Sequence, residues 1–255
     1  ICTNAAEAKA ALTETPIVLK FDGLAAGKGV AVCTSKEEAE LFIDDVMEFL
    51  LDPRYTRVFE SNIPEVTTRR RRAGEAEYLF VVNDRRKFGG YVGRYGMAME
   101  EGVPSEATLA LRRPGGAVYD LVEGRRVPAE IAKGMLRFPC RLGPCEGRIY
   151  LVLPRPIARV AMRGPARLAR GAAGVVQVSV LDAGGKPASG IIPLEVEVRD
   201  PKGRRAEHSG FYGARDGVVK VTLDAAPNDV PGAWEIRARE MASGQAAVHR
   251  LRVGD

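Results

Sequence analysis

The sequence predicts an α+β protein, in which a short N-terminal α/β segment is followed by two mostly antiparallel β domains, the last of them a two-sheet sandwich. Three observations lead to this prediction. The early residues combine strand-like and helix-like patterns, the middle consists of short apolar runs separated by Gly, Pro, Asn and Asp, and the last part alternates apolar and polar side chains. We place the segments at residues 1–60, 64–153 and 157–255.

Charge is distributed unevenly between these parts. Residues 1–60 contain 6 Lys and Arg against 11 Asp and Glu, a net charge of −5, whereas the remaining residues carry 32 against 22, a net charge of +10. This contrast favours a join of unlike segments over one continuous enzyme domain. The apolar content of 45% is sufficient to bury a core.

The first segment contains a strand, a glycine-rich turn and a second strand within residues 16–32. Three glycines allow the backbone to take φ > 0 and to direct N–H groups at one cluster of oxygens, and Lys20 and Lys28 add positive charge. This order is typical of a hairpin flap folded over a nucleotide. On spacing alone, an ordinary hairpin whose glycines serve only the turn remains open.

Two common phosphate-binding loops do not match this turn. The P-loop requires four residues between its first Gly and the Gly-Lys pair, whereas three separate Gly23 from Gly27, and Gly29 stands where Ser or Thr is needed. A dinucleotide-binding turn would open a helix, whereas Val30-Ala31-Val32 reads as a strand. The turn is therefore of neither type.

A helix is predicted after the second strand. Thr34-Ser35 supplies a cap, and Glu37 and Glu38 favour the positive end of a helix in its first turn. Apolar residues then follow at roughly helical spacing, namely Ala39, Leu41, Phe42, Val46 and Phe49.

The run Leu19–Val30, together with Ser35–Ala39, resembles the start of the ATP-grasp domain of the phosphoribosylamine–glycine ligase (GAR synthetase) family. The resemblance covers about residues 5–48 and implies ATP with Mg²⁺ as cofactor, carbon–nitrogen ligation in purine biosynthesis and a cytoplasmic location. It also implies that Lys20 contacts phosphate and that residues 23–29 cover the triphosphate. The implied nucleotide-binding residues are Lys20, Gly23, Leu24, Ala25, Ala26, Gly27, Lys28, Gly29 and Val30.

The rest of such a ligase is not found in this sequence. Val58-Phe59-Glu60 lies near the position of the family's hinge strand, but the Gln-Asp-His-Lys and Asn-Thr-Gly-Gly-Met-Gly segments expected after it do not occur. The chain also begins at Ile1, without the region that precedes the flap in the family. We therefore expect a fragment or a fusion that binds nucleotide but is catalytically incomplete, and we assign no catalytic residue.

Ten strands are predicted beyond Pro64, because short apolar or alternating runs are bounded there by turn residues such as Asn83-Asp84, Glu123-Gly124 and Gly143-Pro144. Pro154-Arg155-Pro156 is a predicted linker between the first four and the last six. The predicted strands are Tyr78–Val82, Ala117–Leu121, Met135–Leu142, Arg148–Leu153, Ile157–Met162, Val175–Leu181, Leu194–Arg199, Val218–Leu223, Ala233–Arg239 and Ala247–Val253.

The β segments carry resemblances of their own. The turns at 181–187, 198–203 and 227–232 are similar to those of immunoglobulin-like or macroglobulin-type sandwiches, over roughly residues 157–253. Residues 78–84 and 118–121 resemble β domains that follow the barrel of some bacterial glycoside hydrolases. Because the barrel and its catalytic carboxylates are absent, these resemblances imply a noncatalytic accessory or interaction region, which could be exported, with an unknown protein or carbohydrate partner.

The remaining candidate sites have simple structural interpretations. The run Arg69–Arg72 is interpreted as a solvated strand end, although it could contact an acidic surface or nucleic acid, and we expect no nucleic-acid partner because aromatic residues are not interleaved. We expect no metal site, because the two His and four Cys are scattered, and a disulfide between Cys140 and Cys145 is conceivable across the intervening turn.

Aromatic residues are also assigned structural roles. Trp234 lies on an alternating strand and is predicted to belong to the core. Phe88, Tyr91 and Tyr95 lie among glycines, where a glycine-rich β connection is preferred over a sugar-stacking surface. No apolar run approaches the roughly 20 residues that span a membrane, so no membrane partner is expected.

Overall fold

The computed structural model describes residues 5–20, 30–51, 58–92 and 98–254. The chain divides into two compact units, 1–57 and 58–255. The finer division of the β region at residues 154–156 stays a prediction.

The described residues of the first unit form two helices and one pair of antiparallel strands. Its elements are α1 (Ala5–Ala10), β1 (Ile17–Lys20), β2 (Val30–Cys33) and α2 (Lys36–Leu51). Strands β1 and β2 are antiparallel, and one face of the hairpin packs on α2 through a small core of Leu12, Cys33, Ala39 and Ile43. Ala39 and Ile43 are four residues apart, so they share the buried face of the helix.

The predicted helix cap is confirmed at the start of α2. The Ser35 hydroxyl accepts a hydrogen bond from the Glu38 N–H at 3.2 Å, and the Glu38 carboxylate accepts one from the Thr34 N–H at 2.8 Å. This exchange satisfies N–H groups that have no partner within the helix. Leu41 departs from the predicted apolar face, since it points to solvent.

Eleven strands are described in the first part of the second unit. They are β3 (Phe59–Ser61), β4 (Val66–Ala73), β5 (Ala76–Asn83), β6 (Arg86–Val92), β7 (Ala98–Gly102), β8 (Ser105–Arg112), β9 (Ala117–Asp120), β10 (Arg125–Val127), β11 (Glu130–Ala132), β12 (Met135–Leu142) and β13 (Gly147–Leu153). They form a five-stranded sheet of order β10-β9-β13-β5-β4, a four-stranded sheet of order β11-β12-β8-β3, and the separate hairpin β6-β7.

The five-stranded and four-stranded sheets share one core. Leu79 and Tyr150 from the first sheet cluster with Leu109, Leu136 and Phe138 from the second, and all five side chains are buried. The Phe138 and Tyr150 rings meet edge to face with centroids 5.1 Å apart. Two sheets that bury facing side chains in this way form a sandwich.

The last eight strands form a second sandwich-like structure. They are β14 (Ile157–Arg163), β15 (Arg167–Ala169), β16 (Ala173–Asp182), β17 (Ile191–Arg199), β18 (Gly210–Arg215), β19 (Val218–Asp224), β20 (Gly232–Glu240) and β21 (Ala246–Gly254). Their order is β14-β16-β19-β18-β17-β20-β21-β15, and β14 also lies against β21, so the strands curl around one core. The described part of the chain is therefore mostly β, with sandwich-like sheets.

All ten predicted strands are confirmed, with small shifts at their ends. Strand β8 was not predicted, because its sequence Ser-Glu-Ala-Thr-Leu-Ala-Leu-Arg is rich in helix-forming residues. It is a strand because Leu109 and Leu111 fill the core and its backbone pairs along the whole of β12. Tertiary pairing thus overrides local propensity here.

The two β regions of the second unit are joined by specific contacts. The Tyr78 hydroxyl donates to the carbonyl oxygen of Ile191 and accepts from its N–H at 2.9 Å. Gly190 lies against the turn between β4 and β5, where an added Cβ would be 2.4 Å from the Ala76 Cβ. Tyr119 and Leu151 of the five-stranded sheet belong to the same core as the last eight strands.

Candidate functional site

The hairpin of the first unit is the element that carries the predicted nucleotide site. Its strands pair from Ile17↔Cys33 at one end to Lys20↔Val30 at the other. Alternation places Ile17, Leu19 and Cys33 toward the core and leaves Val18 exposed on the opposite face. The two strands predicted on either side of the glycine-rich segment are confirmed by this pairing, whereas the turn itself lies outside the described residues.

The connection between the paired ends holds the predicted phosphate-binding residues. Gly23, Leu24, Ala25, Ala26, Gly27, Lys28 and Gly29 lie in the segment 21–29, outside the residues that the structure describes. Lys20 and Val30 are described as the last pair of the β1–β2 ladder. The described ladder reaches this pair, and the assignment of individual residues of the segment 21–29 to phosphate stays a prediction.

Helix α2 anchors this hairpin. The Lys9 ammonium lies 2.6 Å from the Asp44 carboxylate and ties α1 to α2. Hydrogen bonds from Thr34 lower the pKa of the Glu38 carboxyl, so this cap is charged at neutral pH. Both interactions thus involve the helices of the first unit.

The second unit contains a polar cluster around Arg148. Its guanidinium binds Asp120 at 2.7 Å, Glu146 at 2.8 Å and also Glu123. Hydrogen bonds from Arg148 lower the pKa of Glu123, while the backbone N–H of Gly143 lowers that of Glu146. Because the charged groups are paired with one another, this cluster has the character of a structural network and offers no unpaired base.

Cys140 and Tyr150 lie on the inner face of the same sandwich. The Tyr150 hydroxyl is 3.2 Å from the Cys140 sulfur, and burial raises the pKa of both groups. A thiol whose pKa is raised is a poor nucleophile. Both Cys140 and Cys145 are free thiols, one buried and one exposed, so the conceivable disulfide between them is not formed.

Asn83 has a role that the sequence did not reveal. Predicted as part of a turn, it is buried at the end of β5, where its amide donates to the carbonyls of Val103 and Gly143 at 2.8 and 2.7 Å. Its side-chain oxygen accepts from the Ser105 hydroxyl at 2.9 Å. The Asn83-Asp84 pair indicated a turn in the sequence. Only the fold shows that Asn83 also holds the loops containing Val103 and Gly143.

The other candidates behave in different ways. Trp234 is half-buried, packs against the core and donates from its indole N–H to the Val230 carbonyl at 2.9 Å. Phe88 is exposed on the β6–β7 hairpin, and Tyr95 falls outside the described residues. Within the ranges that are described, no group of three or more His, Cys, Asp or Glu side chains is arranged to hold a metal ion.

Comparison with protein families places the ligase resemblance on the first unit. The family model described as phosphoribosylglycinamide synthetase, ATP-grasp (A) domain, matches residues 1–56. The phosphoribosylamine–glycine ligase of Listeria monocytogenes is 60% identical over 47 residues, which are 18% of this chain and 11% of that protein. The predicted resemblance is confirmed. The chain spans about a tenth of the length of the curated relatives it matches.

Solved structures resemble the β regions more distantly. The trypsin-activated α-2-macroglobulin of Escherichia coli is 18% identical, with 69% of this chain and 15% of that chain covered at a TM-score of 0.33. A β-glucosidase from Listeria innocua is 15% identical, with 38% and 16% covered at a TM-score of 0.27. Macroglobulin and glycosidase structures are thus among the neighbours, at scores too low to establish a shared fold.

Both helices α1 and α2 are too short or too polar to cross a lipid bilayer, and the described part of the chain has no other helix that could do so.

Proposed function

We propose that the first unit is the ATP-binding segment of a phosphoribosylamine–glycine ligase-like protein. One observation carries this proposal: a described hairpin, closed by the pair Lys20↔Val30, lies where the chain matches the family's ATP-grasp domain. In this function Lys20 and Lys28 contact the nucleotide phosphates, and the backbone N–H groups of residues 23–30 surround them. In this proposal the first unit is an α/β ATP-grasp-like segment, and the whole chain is of the α+β class.

The Mg²⁺ that accompanies ATP in this family supplies charge neutralisation of the phosphates. Among the described side chains, no carboxylate cluster suits such an ion. The described residues therefore do not fit a protein-held Mg²⁺ site, and we propose the ion only as a partner of the bound nucleotide. Because the Gln-Asp-His-Lys and Asn-Thr-Gly-Gly-Met-Gly segments of the family do not occur in the sequence, we expect little or no ligase turnover from this chain.

Isothermal titration with Mg-ATP tests this function. Heat of binding should be observed for the intact chain and lost in Lys28→Ala, because a flap cation is removed. Lys36→Ala is the matched control, since Lys36 is an exposed lysine at the start of α2, outside the flap. The proposal is wrong if the intact chain releases no heat, or if both variants lose binding equally.

We propose a second function for residues 58–254, that of a noncatalytic interaction or accessory region whose last part is an immunoglobulin-like sandwich. The hydrogen bonds between Tyr78 and Ile191 support this proposal, because they join the two β regions into one structural unit. An exported location accompanies this function, whereas a cytoplasmic location accompanies the first. The absence of a heat of binding with Mg-ATP, together with a cooperative unfolding transition of residues 58–254, would favour the second function.

A further inference from the structure

The arginine run lies on an edge strand of the five-stranded sheet. Strand β4 is the last in the order β10-β9-β13-β5-β4, and no described strand pairs with its other side, where β3 approaches it near Thr68, whose hydroxyl donates to the Phe59 carbonyl at 3.3 Å. An edge strand presents unpaired N–H and C=O groups that another extended chain can use. The alternation of β4 sends its four arginines to two faces of the sheet.

Two of these arginines are used inside the fold. Arg70 and Arg72 share a face with the buried Glu77, whose Oε1 lies 3.3 Å from the Arg70 Nη1 and 3.9 Å from the Arg72 Nε. Together with the Arg113 guanidinium, 3.8 Å from Oε2, these two arginines offset the charge of this buried carboxylate. Arg69 and Arg71 occupy the opposite face, are exposed, and have no acidic partner in the described part of the chain.

An exposed apolar strip lies beside Arg69, and Arg71 stands one row further along, opposite Tyr78. Arg69 is the cross-strand neighbour of Phe80, and Phe80 is the neighbour of Ile149 on β13. Phe80, Ile149 and Val82 are 39%, 36% and 48% exposed, respectively. We name these five residues, Arg69, Arg71, Phe80, Val82 and Ile149, the arginine face.

The arginine face continues a surface that is already used for packing. The next row of the same sheet face contains the exposed Arg71 at the edge, followed by Tyr78 and Leu151, which pack against the last eight strands. The sheet face is therefore covered at one end and open at the other. Arginines alone would only protect an edge from aggregation, whereas a contiguous apolar strip beside them marks an interaction surface.

We propose that the arginine face binds an extended acidic segment of another protein, laid along β4. Arg69 and Arg71 are two residues apart on one strand, which separates them by about 7 Å. Carboxylates at alternate positions of an extended peptide have the same spacing, so each arginine meets one carboxylate. The backbone of the segment pairs with the open edge of β4, in the manner of strand addition.

Fluorescence anisotropy on the full chain tests this proposal. The probe is a labelled octapeptide of alternating Glu and Val, and the variant is Arg69→Glu with Arg71→Glu. Arg163→Glu with Arg167→Glu is the matched control, because it makes the same charge change at exposed arginines of the last eight strands. We expect the first variant to weaken binding about tenfold or more, and Phe80→Ser to weaken it as well.

The control variant should bind like the unchanged protein. Circular dichroism of each variant separates loss of binding from loss of folding. Equal weakening by the two charge variants would show nonspecific attraction and overturn the proposal, as would the absence of peptide binding. Tighter binding of a labelled single-stranded oligothymidylate that depends on Arg69 and Arg71 would also overturn it, because the face would then serve nucleic acid.

Discussion

Tyr78→Phe is expected to weaken the junction between the two β regions of the second unit. The substitution keeps the aromatic ring and removes the hydroxyl that bonds both the N–H and the carbonyl of Ile191. A hydrogen bond contributes a net of about 0.5–1.5 kcal/mol, so the loss of two predicts about 1–3 kcal/mol. For a domain of this size, the melting temperature should fall by about 2–12 °C.

The measurement is urea unfolding followed by circular dichroism, with hydrogen exchange of the Ile191 amide as a local probe. Tyr212→Phe is the matched control, because its hydroxyl makes one hydrogen bond, to the His208 carbonyl at 2.8 Å, inside the last eight strands. It should cost about 0.5–1.5 kcal/mol and leave the Ile191 amide protected. The reasoning is refuted if Tyr78→Phe changes the unfolding free energy by less than about 0.3 kcal/mol and leaves Ile191 exchange unchanged.

Three further predictions concern the sandwich of β3–β13. Leu109→Ala should lower the unfolding free energy by about 2–5 kcal/mol, because Leu109 is fully buried. Val122→Ala is the control and should change it by less than about 0.5 kcal/mol, because Val122 is exposed. Similar losses in the two variants would contradict the assignment of Leu109 to the core. Burial raises the pKa of Tyr150, so the contribution of the protonated hydroxyl to stability is present below pH ~10 and lost as the pH rises above it. In Tyr150→Phe, the unfolding free energy measured in urea should therefore fall less steeply above pH ~10. An unchanged pH dependence would contradict this. The Gly143 N–H lowers the pKa of Glu146, so the contribution of this carboxylate to stability is present above pH ~4.3 and lost at lower pH. Glu146→Gln should therefore reduce the loss of unfolding free energy between pH ~6 and ~3, and an unchanged pH dependence would contradict this.

The sequence predicted strands best where the alternation of apolar and polar residues matches the alternation of buried and exposed positions in the fold. In β17 and β20, apolar and polar residues alternate, and the buried and exposed faces follow that alternation. The cap of α2 was equally readable, because Thr34, Ser35 and Glu38 act on their immediate neighbours. Such features depend on interactions within a few residues, which a sequence displays directly.

Other elements were decided by partners far along the chain. Strand β8 has helix-forming residues but pairs with β12, and β4 carries four arginines but pairs with β5. Asn83 reads as a turn residue, yet it bonds backbone groups 20 and 60 positions away. Local propensities of about 1 kcal/mol cannot predict such arrangements, because burial and pairing outweigh them.

The sequence by itself determined the ligase resemblance of the first unit, the β character of the rest and the residues proposed to meet ATP, since each depends on residue order and spacing. Only the tertiary structure decided that Arg70 and Arg72 lie next to the buried Glu77 while Arg69 and Arg71 remain exposed on the opposite face of β4. The physical reason is that strand pairing brings distant residues onto one face, and burial then determines which charges need partners.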